Sequence, residues 1–148
     1  MKIFQINKKM NLLKRPVLLF LVIVAIFILI DCSMQKVAES REGYTQSNLW
    51  AYYLHTDKDI RSAPRDNESC YFIFTAQDGS QPDESSMFCR DDRHLTEIKK
   101  YLTSLGYSLS SYDGAAERWT KNDEVLPYFS LSLDKKTQTL TLSKVSFM

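Results

Sequence analysis

Pro16-Val-Leu-Leu-Phe-Leu-Val-Ile-Val-Ala-Ile-Phe-Ile-Leu-Ile30 carries no polar side chain and divides the chain into two parts of opposite character. Before it, residues 1–15 hold Lys2, Lys8, Lys9, Lys14 and Arg15 and no acid. After it, the stretch from Ser33 onward holds 14 of the 19 basic residues and 17 of the 18 acidic ones. The formal net charge of +1 therefore hides a cationic start and a mildly acidic remainder, which speaks against a basic nucleic-acid-binding surface on the main domain. As a helix the apolar run covers roughly 22 Å, short of the ~30 Å hydrocarbon core. Leu12 and Leu13 extend it, because Lys14 and Arg15 can snorkel to the headgroups.

Three processing routes compete for this segment. A cleaved signal peptide requires small residues before the cut, and Leu29-Ile30-Asp31 supplies none. Lipidation of Cys32 expects a small residue where Asp31 stands, and stays open as an alternative. An uncleaved signal-anchor needs neither and is the favoured reading. The positive-inside rule then predicts a cytoplasmic segment at 1–15, a transmembrane helix at 16–31 and everything beyond on the far side, in the periplasm of a cell with an inner membrane. Cysteine usage agrees. Cys70 and Cys89 are more readily paired than free in an exported domain, and closing such a loop is worth roughly 3 kcal/mol.

Residues 32–47 are polar and aperiodic and read as a tether, leaving 48–148 as the folded domain. Leu49-Trp-Ala-Tyr-Tyr-Leu54 fits a helical stripe by spacing and a strand by aromatic content, and the pattern does not separate the two. Asp57 to Asn67 reads as loop. Cys70-Tyr-Phe-Ile-Phe-Thr75 and Ser85-Ser-Met-Phe-Cys-Arg90 are strands flanking turn chemistry, and pairing Cys70 with Cys89 places Phe72 opposite Met87. A helix over 93–105 follows, with Leu95, Ile98, Leu102 and Leu105 on one face, Asp91 or Asp92 as cap, Lys99 and Lys100 toward its end and Gly106 as stop. Tyr107 to Tyr112 alternates with Tyr107 and Leu109 on one side, and Asp113-Gly114 turns into a strand around Arg118-Trp-Thr120. Phe129, Leu131 and Leu133, then Leu140 and Leu142, make a C-terminal hairpin. Val145 and Phe147 break parity with Leu142, which predicts a bulge or strand end near Ser143-Lys144. The expectation is an α+β domain, ββ-α-ββ-ββ, with one main helix covering an antiparallel sheet.

Chemistry-bearing patterns are sparse. There are two histidines, His55 and His94, and no metal-ligand spacing, phosphate loop or nucleophile elbow. Asp57-Lys-Asp59 and Asp91-Asp92 read as solvated turn and cap acids rather than cation ligands. We therefore expect no enzyme, no catalytic residue, no metal and no cofactor. The notable surplus is aromatic. Leu49–Leu54 and Tyr71–Phe74 offer large side chains on both parities, more than a sheet with one solvated face can bury. This singles out Leu49, Trp50, Tyr52, Tyr53, Tyr71 and Ile73 as a partner-binding set, the simpler alternative being that they fill the core. If acid is sensed, His55 and His94 carry the side-chain type that titrates near neutrality.

The basic Lys8–Arg15 start, the Pro16–Ile30 span and the following domain with Cys70 and Cys89 together resemble the small accessory proteins encoded beside ToxR-like transmembrane transcription regulators, the ToxS, PsaF, MyfF and FidL type. The resemblance is one of layout over the whole chain and includes no diagnostic motif. It implies a periplasmic domain that binds and stabilises the regulator's own periplasmic part, in some relatives sensing pH or a small amphipathic ligand, with no direct contact to nucleic acid. Two other classes remain: an envelope or secretion-system docking component, and a periplasmic ligand-binding module with an apolar cavity.

Overall fold

The computed structural model describes residues 2–122 and 124–147, with side chains from Arg15 onward. The chain divides into two compact units, one ending at Met34 and the other beginning at Gln35. Helix α1 (Lys2–Ala38) takes in the apolar run and ends four residues into the second unit; its stretch Arg15–Ala38 is long and apolar enough to cross a membrane, with mean hydropathy 3.0 over its most apolar window and none of that window buried. Pro16 sits inside α1. Met1 and the side chains of Lys2, Lys8, Lys9 and Lys14 in the basic segment lie outside the described residues.

The segment 32–47 is not the aperiodic tether expected. Met34-Gln-Lys-Val-Ala38 contains no glycine or proline, so nothing ends α1 before Ala38, whose side chain is buried. Beyond it Tyr44 pairs with Phe72 through both backbone bonds, 2.8 and 2.7 Å, and buries its ring. Gly43 makes this approach possible. Its φ is +70°, and a Cβ there would stand 2.6 Å from the Phe72 carbonyl oxygen. The polar composition concealed an aromatic plug.

Leu49-Trp-Ala-Tyr-Tyr-Leu54 resolves as helix α2 (Leu49–His55), and the stretch read as loop contains α3 (Lys58–Ser62), which buries Ile60. Strands β1 (Cys70–Thr75) and β2 (Asp83–Cys89) pair in the expected register, Cys70 with Cys89 and Phe72 with Met87, and the two cysteines are joined by a disulfide. Helix α4 (Leu95–Ser104) starts later than its acids suggest. Neither Asp91 nor Asp92 caps it; His94 occupies that position without a side-chain cap bond. The Asp91 carboxylate instead accepts from the Arg93 backbone N–H, and the Asp92 carbonyl accepts from Leu95 N–H. With the helix ending at Ser104, Lys99 and Lys100 fall in its middle.

Strands β3 (Ser108–Tyr112), β4 (Ala116–Thr120), β5 (Tyr128–Asp134) and β6 (Thr139–Ser146) complete one antiparallel sheet of order β1-β2-β6-β5-β4-β3. The fold is α+β. The bulge expected in β6 is absent; the irregularity falls in the edge strand β3, between Leu109 and Ser111. β6 keeps perfect parity because both its faces are occupied. Leu140, Leu142 and Lys144 line one side and Ser143 and Val145 the other. Tyr107 is buried against Phe129 just ahead of β3, while Leu109 on the edge is exposed.

Register sorts the sheet into two faces. Phe72, Phe74, Met87, Cys89, Leu140, Leu142, Leu131, Phe129 and Trp119 share the first, and α2, α3 and α4 all pack there through Tyr52, Ile60, Ile98 and Leu102. The fully buried members of this layer form the core. The second face carries Tyr71, Ile73, Phe88, Tyr128 and Arg118 around a floor of serines and threonines, and those five side chains stay only partly buried.

Candidate functional site

Helix α2 is held from its C-terminal end. Asp57 caps α3 by accepting from Asp59 N–H at 2.7 Å, and its own N–H donates to Ser85 Oγ on β2 at 3.0 Å. Lys144, in a core-facing slot of β6, reaches the Asp57 carboxylate at 3.1 Å and that of Asp59 at 2.6 Å. Burial works against the Lys144 charge, yet Asp59 and Asp57 outweigh it and its pKa is raised. The Tyr101 hydroxyl donates to the Asp59 carbonyl at 2.7 Å, and Tyr44 and Thr56 share a buried hydroxyl pair at 2.8 Å. Burial, in first place, raises the pKa of Tyr44, Tyr101 and Tyr107. Asp57 and Asp59, read from the sequence as solvated, are both paired with Lys144 from within the fold.

So fixed, α2 turns Ala51 and Tyr52 inward. The Tyr52 ring meets Phe72 edge-on at 5.1 Å, and its hydroxyl accepts from Arg65. Tyr52 thus belongs to the core and leaves the expected partner set. The other side of the helix is apolar as well: Leu49 is 62% exposed, Trp50 41%, Tyr53 60% and Leu54 53%. The Arg61 guanidinium lies 5.3 Å from the Tyr53 ring centre, and Lys58 lines the same shallow surface. Tyr71 and Ile73 sit on the opposite face of the sheet from α2, so the expected set is split between two surfaces.

On that second face Tyr71 stacks on Phe88 at 5.0 Å with planes 10° apart, while across the floor Arg118 lies 3.8 Å over Tyr128. Ser86 and Ser143 share a hydroxyl bond of 2.7 Å between these walls, and Ser130 pairs with Ser143 in register. Small polar residues thus lie between a stacked aromatic pair and an arginine–tyrosine pair. Phe88, Tyr128 and Arg118 are not in the partner set expected from sequence, although register from Tyr71 through Phe88 to Thr141 follows once the hairpins are paired.

The two histidines have different surroundings. His94 bonds Glu97 through Nδ1 at 2.7 Å on the surface at the start of α4. His55 is the last residue of α2, its ring 5.5 Å from Phe74, with a buried Nε2 that has no hydrogen-bond partner. It borders a cavity of about 120 Å³ shared with Asp57, Asp83 and Lys144, well below the ~300 Å³ at which small-molecule sites begin. Among the described residues, no group of three or more His, Cys, Asp or Glu side chains is placed to hold a metal ion. Cys32 is free and exposed. Compared with known proteins, the chain matches no family model, no curated protein and no solved structure.

Proposed function

We propose that this chain is a non-enzymatic accessory protein anchored in an inner membrane by α1, with residues 1–15 in the cytoplasm and the unit from Gln35 onward in the periplasm. There it binds and stabilises another membrane protein. The apolar Arg15–Ala38 stretch supports the anchor. The Cys70–Cys89 disulfide supports an oxidising compartment for the domain. The observation that carries the binding role is the second sheet face, where Tyr71, Phe88, Ile73, Tyr128 and Arg118 stand partly exposed while every helix of the domain packs on the other side. Partly exposed aromatic residues and arginine around a floor of small polar residues are the composition of an interface centre. The layout of the chain favours a ToxR-like transmembrane transcription regulator as the partner.

A photo-crosslinking residue at position 73, in cells, tests this. The expected adduct joins the chain to a single-span protein with a DNA-binding cytoplasmic part, and deleting the chain lowers that protein's level. The same probe at Lys100, on the helix side, should give no such adduct. Adducts to secretion machinery from position 73 would favour the docking-component alternative instead. The ligand-module alternative has behind it the cavity of about 120 Å³ beside His55 and a more open hollow of about 500 Å³ bordered by Thr75, Gln81, Glu84 and Tyr128.

A further inference from the structure

We infer that the outer face of α2 docks on an anionic lipid bilayer, the one holding α1, with Leu49, Trp50, Tyr53 and Leu54 at the headgroup–acyl boundary. The inference rests on the anchor reading above. Four large apolar or amphipathic side chains in a seven-residue helix are turned away from the core, although the opposite side of the same helix is packed. Tryptophan and tyrosine are the side chains that prefer the membrane interface, since each combines an apolar body with a polar tip.

Charge points the same way. Arg61 lies against Tyr53 and donates to its carbonyl, and Lys58 borders the same surface. The two acids of this segment, Asp57 and Asp59, are turned instead to Lys144 on the sheet. The rim offered beside the apolar stripe is therefore cationic, which suits anionic headgroups. Chain length lets α2 reach any bilayer that holds α1. Leu49 follows the last residue of α1, Ala38, by 11 residues, a reach of at most about 40 Å even if fully extended. Docking through α2 turns the opposite sheet face, with Tyr71 and Ile73, away from lipid and leaves it free for a neighbouring protein.

The test uses the full chain reconstituted into vesicles of phosphatidylglycerol and phosphatidylcholine with brominated acyl chains, and into vesicles of phosphatidylcholine alone. Trp50 and Trp119 are the only tryptophans, and a Trp50→Phe variant reports Trp119 by itself. Trp50 emission should be strongly quenched by the brominated lipid in the anionic vesicles and shielded from aqueous acrylamide. Lys58→Gln with Arg61→Gln should shift the docked-to-undocked ratio by roughly 30-fold, at about 1 kcal/mol per basic residue near an anionic surface. Trp50 left open to acrylamide and unquenched by lipid, in a chain that resists carbonate extraction, would overturn docking while the anchor stands. Extraction of the chain by carbonate would overturn the anchor itself. A photo-crosslinker at position 54 that captures protein rather than lipid in cells would hand this face to a protein and defeat the inference.

Discussion

Helices α2 and α4 lie on the same face of the same sheet, and each carries a strong apolar pattern, yet they spend it differently. α4 puts Ile98 and Leu102 fully into the core and gives solvent its Lys100, Thr103 and Ser104. α2 buries only Ala51 and Tyr52 and leaves Leu49, Trp50, Tyr53 and Leu54 outside. The large apolar side chains of one are all buried or partly buried, and the other keeps a largely exposed apolar remainder. That remainder is the surface on which the proposed docking rests.

The contrast is sharpest in stability. Leu102→Ala should destabilise the chain by about 3 kcal/mol, within the range for truncating a fully buried leucine. Thermal melting of the detergent-solubilised chain reads this. A loss below about 1 kcal/mol would mean that α4 is not the buried member of the pair.

Next in size is the disulfide, which braces the strand beneath α2. Cys70 opens β1, whose Phe72 and Phe74 receive Tyr52 and His55 from that helix. With the cysteines 19 residues apart, replacing both by serine should cost about 3 kcal/mol on the loop-entropy account and lower the level of any partner. Equal melting of variant and parent under oxidising conditions would remove the disulfide from this account.

Lys144 follows, as the tie between α3 and the sheet. Its partners are only partly buried, so Lys144→Met should cost about 2 kcal/mol, between the values for exposed and buried ion pairs. The raised pKa of Lys144 makes its contribution complete below the ordinary lysine value of 10.5 and lost as pH climbs through the folded-state value. The raised values of Tyr44, Tyr101 and Tyr107 act in the same direction from 10.0 upward. The parent should therefore lose stability steeply in alkali and the variant less steeply. Parallel alkaline curves would show that the ion pairs contribute nothing.

Sequence reasoning reached whatever depends on local period or strand parity. The Cys70–Cys89 and Phe72–Met87 pairings, the apolar face of α4 and the β5–β6 hairpin needed only alternation and spacing. It failed where a long-range partner decides the outcome. Lys144 shares the parity of Leu140 and Leu142, and with its acids 85 and 87 residues away it looked like a break in the strand rather than a buried cation. Tyr44 looked like part of a tether because its partners, Phe72 and Thr56, belong to other elements. The surplus of aromatic residues was legible; its division between the α2 surface and the second sheet face was not, because that follows from which face the helices cover.

The smallest expected change tests the comparison most directly. Tyr53 and Leu54 are among the largest side chains of α2, and core packing would make their loss as costly as that of Leu102. Both are more than half exposed, so Tyr53→Ser together with Leu54→Ser should change melting by no more than about 0.5 kcal/mol beyond the helix-propensity cost of serine. The pair should instead reduce the protein's contact with whatever covers that face. A destabilisation near that of Leu102→Ala would mean that the stripe packs inside the domain, and α2 would then be an ordinary core helix like α4.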